Sequence, residues 1–393
     1  MGSPRVALVH DFLLDLRGGE RVFAAMCDAW PEADVFTAIY DEEGTEGRFA
    51  HRNPQTSFLQ RLRPSARTFR PLLPLYPYAI ESLDLRGYDV VVSSSSAWAH
   101  GVLPAPGAVH VCYCHNPFRY AWSEQQATLA ARSAAMRLPL SVVLSRWRRW
   151  DWIAAQRVDR YVANSGLTAS RVRRYFGREA DILHPPVELE RFSPGEVGDH
   201  YLVVAELMAH KRIDIAIEAF NELGMPLVVV GDGPEMRRLR RLAGPSVSFA
   251  GRLPDPAVAA LMRSARALVV TASEEFGIAA VESLASGRPV IALGSGGVLE
   301  IVREGETGAY YEANDPGSLA ATVAAFDPLA IDPADCVATA EHFSTDRFQT
   351  ALRGIVDEAV RAVAGEERDR PAVVTGLLPR RAARRAAARG TVR

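Results

Sequence analysis

Residues 267–291 read ALVVTASEEFGIAAVESLASGRPVI. An apolar, β-rich run from Ala267 to Thr271 ends near Ser273. A helical pattern starts near Gly277 and stops at Gly287, where glycine can take the left-handed conformation that closes a helix. Pro289 opens the next apolar run. Strand, loop, helix and strand in this order make one step of a parallel α/β sheet. In such a sheet the carboxyl ends of the strands face the ligand crevice. The loop before Gly277 is therefore placed to meet a ligand, and Gly277 lets that ligand approach the backbone. Free N–H groups of Phe276, Gly277 and Ile278 at the helix start form an anion site. Glu274 precedes the helix and Glu282 lies within it. A carboxylate can accept two hydroxyls, which suits a ribose diol or a sugar. The eight-residue spacing carries little by itself, because it recurs at 188/196, 304/312 and 358/366. The strand–Phe-Gly–helix setting singles out 274/282.

The same alternation extends over the whole chain of 393 residues. Strands are predicted at Arg5–His10, Asp34–Ile39, Asp89–Ser93, Ala108–Cys114 and Asp159–Asn164. A second set is predicted at Tyr201–Ala205, Leu227–Gly231, Val247–Ala250, Ala267–Thr271 and Pro289–Ala292. Their apolar runs lack strict alternation, as strands buried on both faces do. Pro185-Pro186 and Ser193-Pro194-Gly195 read as a linker. The reading gives an N-terminal domain over 1–195 and a C-terminal domain over 196–345. A helix over 346–363 is placed to pack back on the first domain. A basic, disordered tail over 366–393 follows, with six Arg from Arg380 onward and no acid there.

The formal net charge of −2 gives no whole-chain attraction to nucleic acid. No run of 18 apolar residues suggests a membrane-spanning helix, and the N-terminus lacks the flanks of a signal peptide, so a cytoplasmic location is expected. Four scattered cysteines make no disulfide framework, and Cys112 and Cys114 read as small buried hydrophobes. No Asp-x-Asp and no spaced His/Cys cluster is found, so no metal is expected.

Of the 45 basic residues only Lys211 is a lysine. A chain that otherwise writes Arg and keeps Lys at one position marks a site for a compact ammonium. Gly18-Gly19, after the first strand, reads either as a plain turn or as a loop whose backbone meets a ligand. His115 follows a strand at its carboxyl end, as a satisfied loop histidine or as a binding or catalytic group facing the ligand crevice. The stretch Ser145–Trp152 interleaves Arg with Trp147 and Trp150. It reads either as a helix packing Trp inward or as one lying in a membrane interface, where the Arg tail would add an electrostatic tether.

Glu274-Glu275-Phe276-Gly277 through Glu282-Ser283-Leu284-Ala285-Ser286-Gly287-Arg288-Pro289-Val290 resembles the hallmark of the retaining glycosyltransferases of family 4, which have the GT-B fold. Gly18-Gly19-Glu20-Arg21, Gly231-Asp232-Gly233-Pro234, Gly296-Gly297 and Glu306-Thr307-Gly308 match further landmarks in order. His115-Asn116-Pro117-Phe118-Arg119-Tyr120 resembles a mannosyltransferase branch. The resemblance covers roughly residues 5–365. It implies two Rossmann-like parallel-sheet domains facing an interdomain cleft. It also implies a nucleotide-diphosphate sugar as donor, GDP-mannose by preference and a UDP-sugar as the alternative. Glu282 would then bind the donor ribose, Glu274 the hexose, and the Phe276, Gly277 and Ile278 amides the sugar or phosphate. Lys211 falls where the family keeps a diphosphate-binding lysine, and one lysine placed at random among 45 basic positions has about one chance in 45 of falling there. Gly18 and Gly19 would meet the donor, and Glu274, His115 and Lys211 are the expected catalytic residues. Leaving-group charge would be held by Lys211, neighbouring Arg and helix N-termini, without a metal or other cofactor. One departure stands out. The family carries Arg five residues before that lysine, and this chain carries Glu206.

The expected reaction moves a hexosyl group to a saccharide or lipid-linked acceptor, at the inner face of the plasma membrane if the basic segments bind lipid. Two alternatives stay open: a catalytically inactive sugar-nucleotide-binding protein, suggested by Glu206, and a GT-B sugar-nucleotide epimerase. A dinucleotide-dependent oxidoreductase is the weakest reading, because Met236 replaces the third glycine of the fingerprint after Gly231-Asp-Gly233.

Overall fold

A computed structural model describes residues 4–66 and 68–369. The tail expected to be disordered therefore lies almost wholly outside the described residues. Two parallel sheets form. The first comprises β1 (Val6–His10), β2 (Asp34–Thr37), β3 (Gln55–Thr56), β4 (Val90–Ser95), β5 (Val109–Cys114), β6 (Arg160–Ala163) and β7 (Ala180–Ile182), in the order β3-β2-β1-β4-β5-β6-β7. The second comprises β8 (Tyr201–Val204), β9 (Leu227–Val230), β10 (Val247–Gly251), β11 (Leu268–Val270), β12 (Val290–Leu293) and β13 (Gly308–Tyr311), in the order β10-β9-β8-β11-β12-β13. Each order reverses direction beside its first strand, which creates a crevice at the strand ends.

The ten expected strands all form. Three more, β3, β7 and β13, were not anticipated, and each is a sheet edge. β3 has two residues, β7 is Ala-Asp-Ile, and β13 begins at a glycine that reads as loop. Edge strands need less apolar surface than central ones, so their signal is weak. β4 and β5, at the centre, are buried at every residue.

The chain returns to the first sheet at its C-terminal end. The helix Thr345–Asp369 places Phe348, Leu352, Val356 and Ala359 in one core with Phe23, Met26 and Tyr113. Gln349 Nε2 donates to Ala25 O at 2.9 Å, and Arg353 Nε donates to Ala29 O at 2.8 Å. The two domains are thus joined by the linker and by this crossing.

One expectation changes, and one pair of open readings is decided. Gly18 and Gly19 are not a loop but the first residues of the helix Gly18–Ala29, whose start is held by the Glu20 carboxylate accepting from Arg17 N at 3.1 Å. Trp147 and Trp150 lie on the helix Ala134–Ala155 but face inward, each with its ring centroid 5.5 Å from that of Trp98. These two rings pack the core and do not dip into a membrane. Cys112 and Cys114 are buried in an apolar cluster with Val172 and Phe176.

Candidate active site

The residues that follow β4, β5, β6, β8 and β11 converge on one cleft of about 420 Å³ between the domains. Ser96, His115, Asn116 and Asn164 enter it from the first sheet. Ala205, Lys211, Thr271 and Glu274 enter it from the second. All nine residues singled out in the sequence line this one cleft: Gly18, Gly19, His115, Lys211, Glu274, Phe276, Gly277, Ile278 and Glu282.

Two helix N-termini meet in it. The helix Gly18–Ala29 comes from the first domain and the helix Ile278–Ala285 from the second. They approach so closely that a Cβ on Gly18 would lie 3.0 Å from Ile278 Cδ1. Both present unpaired N–H groups and the positive end of a helix dipole to the same space. Gly277 supplies the left-handed N-cap of the second helix, with φ of 108°.

Beside them, Lys211 Nζ donates to the Glu274 carboxylate, and each side chain is about one-fifth exposed. Lys211 sits on a 3₁₀ turn, Ala209–Lys211, pinned by Thr271 Oγ1 donating to Lys211 O at 2.7 Å. The Glu274 backbone is held from behind. Gly297 N donates to Glu274 O at 2.9 Å, and a Cβ on Gly296 would come within 2.5 Å of that oxygen. Only glycine permits this approach, which fixes the loop that aims Glu274.

Glu275 was not singled out, yet it is the main polar joint between the domains at this point. Its carboxylate accepts from Arg171 Nη1 at 3.0 Å, Asn116 Nδ2 at 3.2 Å and Arg119 Nη2 at 3.3 Å. Burial pushes the Glu275 carboxyl up, but Arg119, Arg171 and Lys211 outweigh it and hold it below its ordinary value. Arg119 was legible as part of the His115–Tyr120 motif. Arg171, on the helix Gly166–Phe176, carries no local signal.

Glu282 lies on the other side of the Ile278 helix start. Burial pushes its carboxyl up to about 7, against the pull of Arg191 and Arg21 and with the push of Asp255 and Glu188. Among the described residues its nearest cationic group is Arg191 Nη1, 4.0 Å away. Phe276 turns its ring inward, stacked on His184 with centroids 5.3 Å apart. His184 Nε2 in turn pairs with Glu300 at 2.8 Å, and Glu300 accepts from Gly166 N at 2.9 Å across the domain boundary.

His115 is reached from behind by Ser94 Oγ at 2.8 Å. Burial, with His10 adding to it, lowers the His115 imidazole to about 3. Glu206, the departure noted in the sequence, pairs with Arg17 of the opposite domain at 2.7 Å. Among the described residues, no three His, Cys, Asp or Glu side chains gather to hold a metal ion.

Comparison with known proteins agrees with this arrangement. Residues 16–191 match the model of Glycosyltransferase Family 4, and residues 190–340 match that of Glycosyl transferases group 1. The chain belongs to the GT-B glycosyltransferases that carry this pair of domains. It is 31% identical over 253 residues to a D-inositol 3-phosphate glycosyltransferase of Acidothermus cellulolyticus, covering 53% of this chain and 55% of the relative. A protein of the same name from Mycolicibacterium vanbaalenii is 32% identical over 247 residues, covering 54% of each. The chain thus spans about half the length of the curated relatives it matches. Sucrose-phosphate synthase from Thermosynechococcus elongatus superposes with a TM-score of 0.70 at 19% identity, over 92% of this chain and 100% of that one. Anabaena HepE in complex with UDP-glucose superposes with a TM-score of 0.66 at 16% identity, over 91% of this chain and 100% of that one. These structures share the GT-B fold.

Proposed function

We propose that the protein is a retaining glycosyltransferase that moves a hexosyl group, mannosyl by preference, from a nucleoside diphosphate sugar to a saccharide or lipid-linked acceptor. One observation carries this reading. Lys211, Glu274, Glu282 and two facing helix N-termini line a single cleft between two Rossmann-like domains. Glu282 holds the ribose hydroxyls, and Glu274 the hexose. Lys211 and the helix N-termini hold the diphosphate, whose charge grows as the sugar leaves. This positive field takes the place of a divalent cation, so transfer is metal-independent. In the transfer step the acceptor oxygen bonds to the anomeric carbon on the face the diphosphate departs from. The bond from that carbon to the phosphate oxygen breaks, and the acceptor's proton passes to that oxygen. His115, at the mouth of β5, faces the acceptor side. The domains close around the sugar and exclude water, because hydrolysis is the competing reaction.

The similarity to D-inositol 3-phosphate glycosyltransferases and to HepE bound to UDP-glucose supports testing a phosphorylated polyol among the acceptors and UDP beside GDP among the donor nucleotides. A membrane-linked acceptor is supported by the helix Ala134–Ala155. Its first turns expose Met136, Leu138 and Val142, and residues 125–150 carry five Arg and no acid. Such a surface suits the anionic inner face of the plasma membrane and supports the reading of a peripheral cytoplasmic enzyme. Among the described residues, no helix is long and apolar enough to cross a membrane.

The test is thermal stability with UDP, GDP and ADP in EDTA, on wild type and on Glu282→Ala. A ligand at 100 times its Kd adds about 2.7 kcal/mol. A rise with one nucleotide that Glu282→Ala removes is expected, followed by transfer from its sugar conjugate to an acceptor. No rise with any nucleotide overturns the reading. Binding without turnover makes the protein a nucleotide-sugar binder, and conversion of the donor without an acceptor makes it an epimerase.

A further inference from the structure

The backbone of the loop that carries Glu206 is fixed beside the cleft. Ala205, the preceding residue, lines the cleft, and Lys211 lies five positions on. Ala205 N donates to Val230 O at 3.1 Å, and Leu207 N donates to Asp232 O at 3.0 Å. Behind them, Gly231 and Gly233 pack so closely that added Cβ atoms would lie 1.9 Å from Ala205 O and 2.5 Å from Leu207 O. The Gly231-Asp232-Gly233 turn is thus a buttress for residues 205–207. With the backbone wedged next to the cleft-lining Ala205, the negative charge of Glu206 stays within a side chain's length of the space that receives the donor's phosphates. An unshielded carboxylate there repels them.

The opposite domain supplies a shield. Arg17 immediately precedes Gly18, and its backbone is tied at both ends, N to the Glu20 carboxylate at 3.1 Å and O to Arg21 N at 2.9 Å. Its guanidinium donates to Glu206 Oε2 at 2.7 Å and to Asp15 Oδ2 at 2.9 Å. Asp15 also accepts from Arg252 Nη2 at 2.8 Å. Asp15 and Arg17 belong to the first domain, Glu206 and Arg252 to the second. The four charges alternate and cancel.

We propose that Arg17 is a cross-domain counter-ion that neutralises Glu206 and so permits a nucleoside diphosphate to bind beside it. The inference rests on the donor reading above. Diphosphate affinity in this chain then depends on domain apposition, because the shield and the charge it covers sit on different domains. A chain with arginine at 206 needs no such partner.

A mere clasp and a counter-ion differ in the sign of one variant. The measurement is the Kd of UDP or GDP, whichever the wild type binds, by titration calorimetry on Arg17→Gln, Glu206→Gln and the double variant. Arg17→Gln is expected to weaken the nucleotide about tenfold by uncovering a like charge. Glu206→Gln is expected to bind as tightly as wild type or more tightly, and the double variant to return to that level. Uridine or guanosine, which lack phosphate, should bind all four proteins equally. The Arg17→Gln defect should shrink at high salt, as partly exposed charges are screened. Rescue by the second substitution also shows that Arg17→Gln is folded. Glu206→Gln as weak as Arg17→Gln makes the pair a closing clasp and overturns the inference alone. A double variant as weak as Arg17→Gln overturns it too. A wild type that binds no nucleoside diphosphate overturns this inference together with the donor reading.

Discussion

The hydroxyl of Ser94 lies 2.8 Å from Nε2 of His115, and the same oxygen lies 3.0 Å from Nδ1 of His10. A hydroxyl has one proton, so it donates to one ring and accepts from the other. His115 is thereby oriented from behind, and its lowered pKa of about 3 keeps it neutral through the working pH range. In the proposed transferase it serves as a positioned hydrogen-bonding group and not as a proton store. Ser94→Ala is expected to lower kcat/KM about tenfold, the scale of one lost hydrogen bond, while Ser94→Thr retains most of it. The pH–rate profile from pH 5 to 8 should contain no limb from His115. A limb near 6.5 that disappears in His115→Asn would contradict this assignment.

Glu282 makes a separate prediction about stability. Its carboxyl is pushed up to about 7 by burial, from an ordinary 4.5. A carboxyl with a raised native pKa holds its proton more tightly when folded, so its ionisation opposes folding. The penalty is absent below about 4.5, grows as pH rises to about 7, and is complete above that. Glu282→Gln should therefore stabilise the protein at pH 8 by up to about 3 kcal/mol and by little at pH 4.5. Nucleotide binding should weaken at the same time, as at sites where function is held at the expense of stability. Melting curves at the two pH values decide it, and an effect of equal size at both contradicts the buried-carboxyl account.

Residues 273–291 were readable because their signals are local: a strand end, a glycine in the left-handed region, a helix of eight residues and a closing glycine at 287. Everything they were expected to bring together lines one cleft. The partners of the cleft were not readable in the same way. Glu275 meets Arg171 across 104 residues, and Arg17 meets Glu206 across 189. Such pairs are set by how two domains face each other, and one sequence carries no trace of that. Gly18-Gly19 misled for the opposite reason. Glycine is a poor helix former, so two in a row read as loop, although a helix starts at the first of them. The Trp147/Trp150 pair left two readings open because an inward face and a membrane face share the same periodicity. Only the position of Trp98 decides between them.

Lys211 and Glu274 neutralise each other in the cleft. Removing one leaves the other partly buried and unpaired, which costs stability. Lys211→Met is expected to lower the melting temperature, and Lys211→Met with Glu274→Gln to recover most of the loss. Neither should transfer sugar at more than a small fraction of the wild-type rate. Lys211→Arg should restore the ion pair and the melting temperature without restoring activity, because a planar fork replaces a compact ammonium. Recovery of full activity by arginine would show that charge alone is used here.

The helix Ala134–Ala155 divides its work along its length, and two substitutions separate the parts. Leu138 is 74% exposed near the start, while Trp147 packs on Trp98 and Phe118 further along. If the exposed, Arg-flanked start rests on anionic lipid, Leu138→Asp weakens cosedimentation with phosphatidylglycerol vesicles and leaves the melting temperature unchanged. Each buried CH₂ contributes about 0.8 kcal/mol to such insertion, so replacing one leucine by a charge lowers the bound fraction severalfold. Trp147→Ala does the reverse. It opens a cavity costing roughly 3 kcal/mol and lowers the melting temperature, with vesicle binding of the folded fraction unchanged. Neutral phosphatidylcholine vesicles should bind neither wild type nor variants, because five Arg and no acid over residues 125–150 supply the attraction. Equal binding to neutral and anionic vesicles would remove the electrostatic part of the argument, and no loss in Leu138→Asp would remove the surface itself.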